Sequence, residues 1–135
     1  MRTIKFKGKR LDNGEWLEGY YRGNNEGKAF ISRIKRPPLS FEVYPDTVCQ
    51  FTGFTDKNGK EIYEGDVIHI GPDYCVVIWV EDLGGFYLKA DYAKIPCDSP
   101  LGAMLHRYDF NVIGNIYEQK WTMRVKVSQR KEGKQ

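Results

Sequence analysis

Turn residues recur along this chain at short intervals, and that spacing restricts the fold more than any other feature of the sequence. Asn13-Gly14, Asn24 to Gly27, Asn58-Gly59, Gly71-Pro72-Asp73 and Gly84-Gly85 each precede a run of alternating or wholly apolar side chains. Glycine and asparagine tolerate positive φ and proline fixes φ at about −65°, so these positions are where a strand reverses. About ten runs at roughly 8–12-residue spacing predict an all-β protein. Aromatics make up 14% of the chain and hydrophobic residues 41%, enough to build a core from strands without disulfides.

Thr3 to Lys7 alternates, with Ile4 and Phe6 on one face and Thr3, Lys5 and Lys7 on the other. Glu15 to Tyr21 returns, placing Trp16 and Tyr20 on one side and Leu17 and Tyr21 on the other. Lys28 to Ile34 follows and stops at Arg36-Pro37-Pro38, an expected exposed loop because neither proline donates a backbone hydrogen bond. Phe41–Tyr44 and Thr47–Phe51 flank Pro45-Asp46. Val67–Ile70, Tyr74–Val80, Phe86–Ala90 and Phe110–Tyr117 supply the second half. Tyr74–Val80 is apolar on both faces, which fits a central strand or one at a subunit interface. Ser99 as N-cap and Pro100 at the first helical position predict one short helix, Pro100–His106, with Gly102 inside it. The strands from Ile62 to Tyr117, joined by short turns, suit an SH3-like barrel. The expected organisation is an N-terminal β-hairpin lobe (1–49), the barrel (50–119), and a basic strand with a disordered tail (120–135).

Charge is partitioned. Residues 1–10 carry five basic groups and no acid, residues 120–135 carry six basic and one acidic, and residues 11–119 carry ten basic and seventeen acidic. An acidic body with two basic ends is not the footprint of a basic groove, and charged termini are usually solvated. Cys49, Cys75 and Cys97 are odd in number and irregular in spacing, so reduced, buried thiols are expected. No apolar run approaches the ~18 residues of a membrane span, and MRTIKFKGKR lacks the apolar segment of a signal peptide. The expectation is a soluble, cytoplasmic protein with no membrane partner.

The stretch TVCQFTGFTDKNGKEIYEGDVI resembles the signature of the YopX family, small proteins of phages and prophages of Gram-positive bacteria. IKFKGKRLDNGEWLEGYY, CVVIWVEDLGGFYL and VIGNIYE match the family pattern in the same order, covering most of residues 3–118. The signature positions are Gly53, Asp56, Asn58, Gly59, Tyr63, Gly65 and Asp66, with Gly114 and Asn115 in the closing segment. Cys49 stands where the family usually has glycine, and the basic strand after Glu118 replaces the family's short acidic or proline-containing tail. The resemblance implies an SH3-like barrel in the second part and a phage-related origin. It implies no activity.

Asp56, Glu61, Glu64 and Asp66 place four carboxylates within eleven residues. The spacing lacks the alternating ligand positions of a calcium loop, and Asp56 and Asp66 read instead as acceptors for backbone N–H groups of their own turns. His69 and His106 have no helical zinc spacing with each other or with the cysteines. No catalytic residue, cofactor or metal site is assigned. Tyr63, Tyr87 and Tyr92 are the barrel aromatics expected at the surface, with most others inward. Trp121, Met123, Val125 and Val127 share one face of a terminal strand, which either closes the molecule's own sheet or adds to another chain's edge. The expected function is a non-enzymatic module for protein binding or assembly, whose partner is another protein or, where that strand adds to a second copy, a homo-oligomer. The alternative is a nucleic-acid-associated accessory protein that binds phosphate through its basic termini.

Overall fold

A computed structural model of the chain describes residues 2–37, 39–71, 73–90 and 99–118, the side chains at 73 and 90 excepted. The expected strand carrying Trp121, Met123, Val125 and Val127, the tail beyond it, Tyr92 and Cys97 lie outside the described residues. The chain divides between Gly53 and Phe54 into two compact units. The class is all-β, and the described residues include one short helix, in line with the expectation of at most one.

In the first unit, β1 (Phe6–Lys9), β2 (Trp16–Gly23), β3 (Ala29–Arg33) and β4 (Ser40–Val43) form an antiparallel meander. Gly14 and Gly27 take positive φ at the first two reversals. Asn24 Oδ1 accepts from the backbone N–H of Glu26 and of Lys28, which holds the second turn. A single 3-10 turn, Pro45–Thr47, leads into β5 (Cys49–Thr55), which pairs with the other edge of β1. Tyr44 N–H donates to the Lys9 carbonyl, Leu11 N–H donates to Glu42, and Arg10 bridges Val43, so the sheet curls until β4 meets the end of β1.

Ala29, Ile31 and Val43 lie inside that curl, with Phe6, Leu17 and Val48 packed against them. Two glycines permit the curvature. A Cβ at Gly8 would sit 3.0 Å from Val43 Cγ2, and one at Gly19 would fall within the contact radius of the Ser32 carbonyl. Ile4, expected inward beside Phe6, is 52% exposed because the strand begins only at Phe6.

In the second unit, β6 (Glu61–Tyr63) is followed by β7 (Asp66–Ile70), β8 (Asp73–Val80), β9 (Gly85–Ala90), β10 (Ser99–Pro100), helix α1 (Leu101–Arg107) and β11 (Asn111–Asn115). The sheet order is β10-β9-β8-β7-β11 and every pairing is antiparallel. Among the described residues this sheet is open, with β10 and β11 as its edges, rather than closed into a barrel. β8 is its middle strand, which explains why it is apolar on both faces. Cys75 and Val77 face the main core with Ile62, Ile68, Leu88 and Phe110. Val76 faces the other way, with Val67, Ile78 and Ile116.

The helix begins at Leu101, one residue later than the sequence suggests. Pro100 is its N-cap and no side chain caps it, while Ser99 pairs in β10 opposite Leu88. Leu101 and Met104 supply a buried stripe, and His106 and Arg107 in the last turn complement the helix dipole. Gly102 is accounted for by packing, because a Cβ there would lie 3.1 Å from the Phe54 ring. β6 and β10 escape a sequence reading because three and two residues show no period.

Replacing Gly19 by alanine forces β2 away from β3 where the sheet bends. The expected loss is about 1–3 kcal/mol, measured by urea denaturation. A midpoint equal to that of the parent would mean that the two strands do not approach as described.

Candidate functional site

The signature segment places one carboxylate at the centre of a turn. Asp56 is 6% exposed. Its Oδ1 accepts from the N–H groups of Asn58 and Lys60, each at 2.9 Å, and its Oδ2 accepts from Val112 at 3.0 Å. The first two bonds close the hairpin, and the third reaches β11, fifty-six residues away in sequence. Gly59, at φ 83°, supplies the left-handed residue that the turn requires. Asn58 extends the same clasp, its side-chain amide donating to Asn111 Oδ1 at 2.9 Å.

A second clasp lies just downstream. Asp66 is 2% exposed and its Oδ2 accepts from Tyr63 N–H at 2.7 Å, so it closes the tight turn between β6 and β7. Gly65, at φ 87°, donates to the Val77 carbonyl at 2.8 Å and accepts from Ile116 N–H at 2.9 Å. A Cβ at Gly65 would meet the Tyr117 ring at 3.0 Å. Gly114 pairs with Val67 and Asn115 with Asp66, on either side of a register shift in β11. Asn115 Oδ1 then accepts from Tyr117 N–H. Of the signature positions, all but Gly53 meet around these two turns and β11. Gly53 stands in β5 with φ 90° at the unit boundary.

The other chemical candidates do not converge. Cys75 is buried in the main core of the second unit, and Cys49 is buried in the first. His69 stacks on Tyr74 with ring centroids 5.0 Å apart, and His106 is exposed on α1. Among the described residues no three His, Cys, Asp or Glu side chains gather in a way that would hold a metal ion. Tyr63, expected at the surface, is 2% exposed because it follows Ile62 into the interior, and Tyr87 is half-buried.

A different surface emerges on the first unit. Strand pairing sets Lys7 and Lys9 of β1, Trp16 and Tyr20 of β2, and Phe30 of β3 on the outer face, opposite the Ile31 core. Lys7 Nζ lies 4.8 Å and Lys9 Nζ 5.5 Å from the Trp16 ring centroid. The Arg22 guanidinium lies 4.6 Å from that of Phe30. Tyr20 is 57% exposed. The basic N-terminus is therefore a strand whose ammonium groups lie over aromatic rings. Alternation within Thr3–Lys7 and Glu15–Tyr21 carries part of this signal, but the pairing register that joins the two strands does not show in sequence.

The chain is thus an all-β protein of two antiparallel sheets whose signature aspartates, Asp56 and Asp66, accept backbone N–H groups at turns. The family model described as YopX protein matches residues 5–121, from just before β1 to beyond β11, and the chain belongs to the YopX family. No curated protein matches it.

Burial alone would raise the Asp56 pKa. The N–H groups of Val112, Lys60 and Asn58, with the Lys60 charge, outweigh burial and hold the carboxyl below its ordinary 3.8. A folded-state pKa below the unfolded one means that the carboxylate stabilises the fold above the unfolded pKa, and that this contribution disappears as pH falls through the folded value. In Asp56→Asn the amide turns a donor towards Val112 N–H or leaves it unpaired, for an expected loss of about 1–3 kcal/mol at pH 7. The gap between parent and variant narrows below about pH 4, as urea midpoints at neutral and acid pH will register. Gly59→Val, which puts a branched residue at positive φ, is expected to lose about 1–3 kcal/mol in the same assay. A Gly59→Val protein as stable as the parent would contradict the turn described.

Proposed function

We propose that this YopX-family chain is a non-enzymatic binding module that recognises its partner through a surface, in a phage- or prophage-derived setting in the bacterial cytoplasm. The observation behind this reading is the outer face of β1, β2 and β3, where Trp16, Tyr20 and Phe30 alternate with Lys7, Lys9 and Arg22. Rings beside cations offer large contact area with little rotamer freedom to lose, together with charged groups that orient a partner. The polar groups best suited to chemistry have structural work instead. Asp56 and Asp66 accept backbone N–H groups in their turns, and Cys49 and Cys75 are buried.

The unit that bears this face is basic. Residues 1–53 carry ten basic and six acidic groups, whereas residues 54–118 carry five basic and eleven acidic. A charge difference of this kind within one chain favours an acidic partner for the first unit.

Tagged parent, Tyr20→Ala and Arg22→Gln proteins, expressed in bacteria that carry the prophage, give the test. The parent is expected to retain a defined partner, quantified by mass spectrometry, that both variants lose while their melting temperatures stay at the parental value. Identical partner sets for all three proteins would remove this face from the reading.

A further inference from the structure

We infer that the outer face of β1, β2 and β3 binds single-stranded nucleic acid, with Tyr20 as an open stacking platform and Arg22 and Lys9 as phosphate contacts, an inference that rests on the binding role proposed above. Tyr20 stands between Glu18 and Arg22 on β2 and faces Ser32 across the strand pair. Serine is too small to cover a phenol ring, and Tyr20 keeps 57% of its surface in water. An unstacked base presents a flat apolar face of matching size, and such contacts are tolerant of sequence.

The cations are placed for a backbone that passes over these rings. The central carbon of the Arg22 guanidinium lies over the Phe30 ring, 4.6 Å from its centroid. Arg22 is exposed, and its guanidinium carries five N–H donors, the group best matched to phosphate oxygens. At the other end of the face Lys7 and Lys9 bracket Trp16. Trp16 and Tyr20 lie on the same side of β2 four residues apart, about 13 Å at the usual strand rise. Glu18, between them, has its carboxylate 3.8 Å from Lys5 Nζ, which offsets the one acidic group on that stretch of β2. A peptide of aspartate and glutamate alone would answer the positive charge but offers no ring to stack on Tyr20. A duplex would answer the charge too, but its bases are already stacked on one another.

The test is fluorescence anisotropy with labelled oligothymidylate and oligouridylate of about 20 nucleotides, a duplex of equal length, and a polyglutamate competitor. The parent is expected to bind the single strands, with affinity falling roughly 5–10-fold between 50 and 200 mM salt, the loss for two phosphate contacts. Tyr20→Ala is expected to weaken binding about 5–150-fold without changing that salt slope. Arg22→Gln is expected to flatten the slope by about 0.7. Leu83→Ala, an exposed residue of the second unit, serves as a control expected to bind like the parent. Thermal melts establish that each variant is folded.

Four results would overturn the inference: no salt-dependent binding, equal affinity for duplex, indifference to both substitutions, or polyglutamate competing as well as oligonucleotide. Should oligonucleotides fail while Tyr20→Ala and Arg22→Gln still lose a partner captured from cells, the binding role stands and the nucleic-acid partner does not.

Discussion

The second unit depends on one buried carboxylate. Asp56 gathers three backbone N–H groups, two from its own turn and one from Val112 in β11. Each of those donors would otherwise need water or another acceptor, and an unpaired buried N–H is expensive. A charged acceptor satisfies several donors at once, and the bonds are stronger than those of a neutral amide. The result joins a local hairpin to a strand more than fifty residues later. Asp66 and Gly65 repeat the device a few residues on, holding the turn into β7 and bonding the backbone to Val77 and Ile116.

This accounts for why an acid-rich, glycine-rich stretch carries the family resemblance: it organises turns and joins them to a distant strand. Its two aspartates accept backbone N–H groups, and its glycines adopt positive φ. VIGNIYE belongs to the same structural unit because β11 receives the bonds that the first stretch organises. The two pieces are distant in sequence and adjacent in space. The first unit relies on a different constraint. Gly8 and Gly19 let a short meander bend tightly around Ile31 and Val43, so β1 and β2 turn their polar and aromatic residues outward. The face proposed for binding is a consequence of that bend.

Legibility in the sequence varied with how local each feature is. Turn positions and the strands they separate were readable because φ preferences and two-residue alternation act over a few neighbours. The central place of YCVVIWV followed from its apolar character on both sides. The roles of Asp56 and Asp66 in their own turns were readable for the same reason. The bond from Asp56 to Val112, the packing of Gly102 on Phe54, and the burial of Tyr63 were not, since each depends on a partner brought in from a distant segment. Exposure of Tyr20 was missed for a similar reason. Its neighbour across the strand is Ser32, and only the register reveals that pairing.

By itself, then, the sequence determined the all-β class, the turn positions, the single short helix and the family. These rest on backbone preferences and side-chain periods that need no knowledge of the rest of the chain. Tertiary structure alone decided that the acidic signature is a clasp, that the basic N-terminus is a strand laid over aromatic rings, and which face of the first sheet meets solvent. Strand register and sheet curvature set these outcomes, and both arise from contacts between segments far apart in sequence.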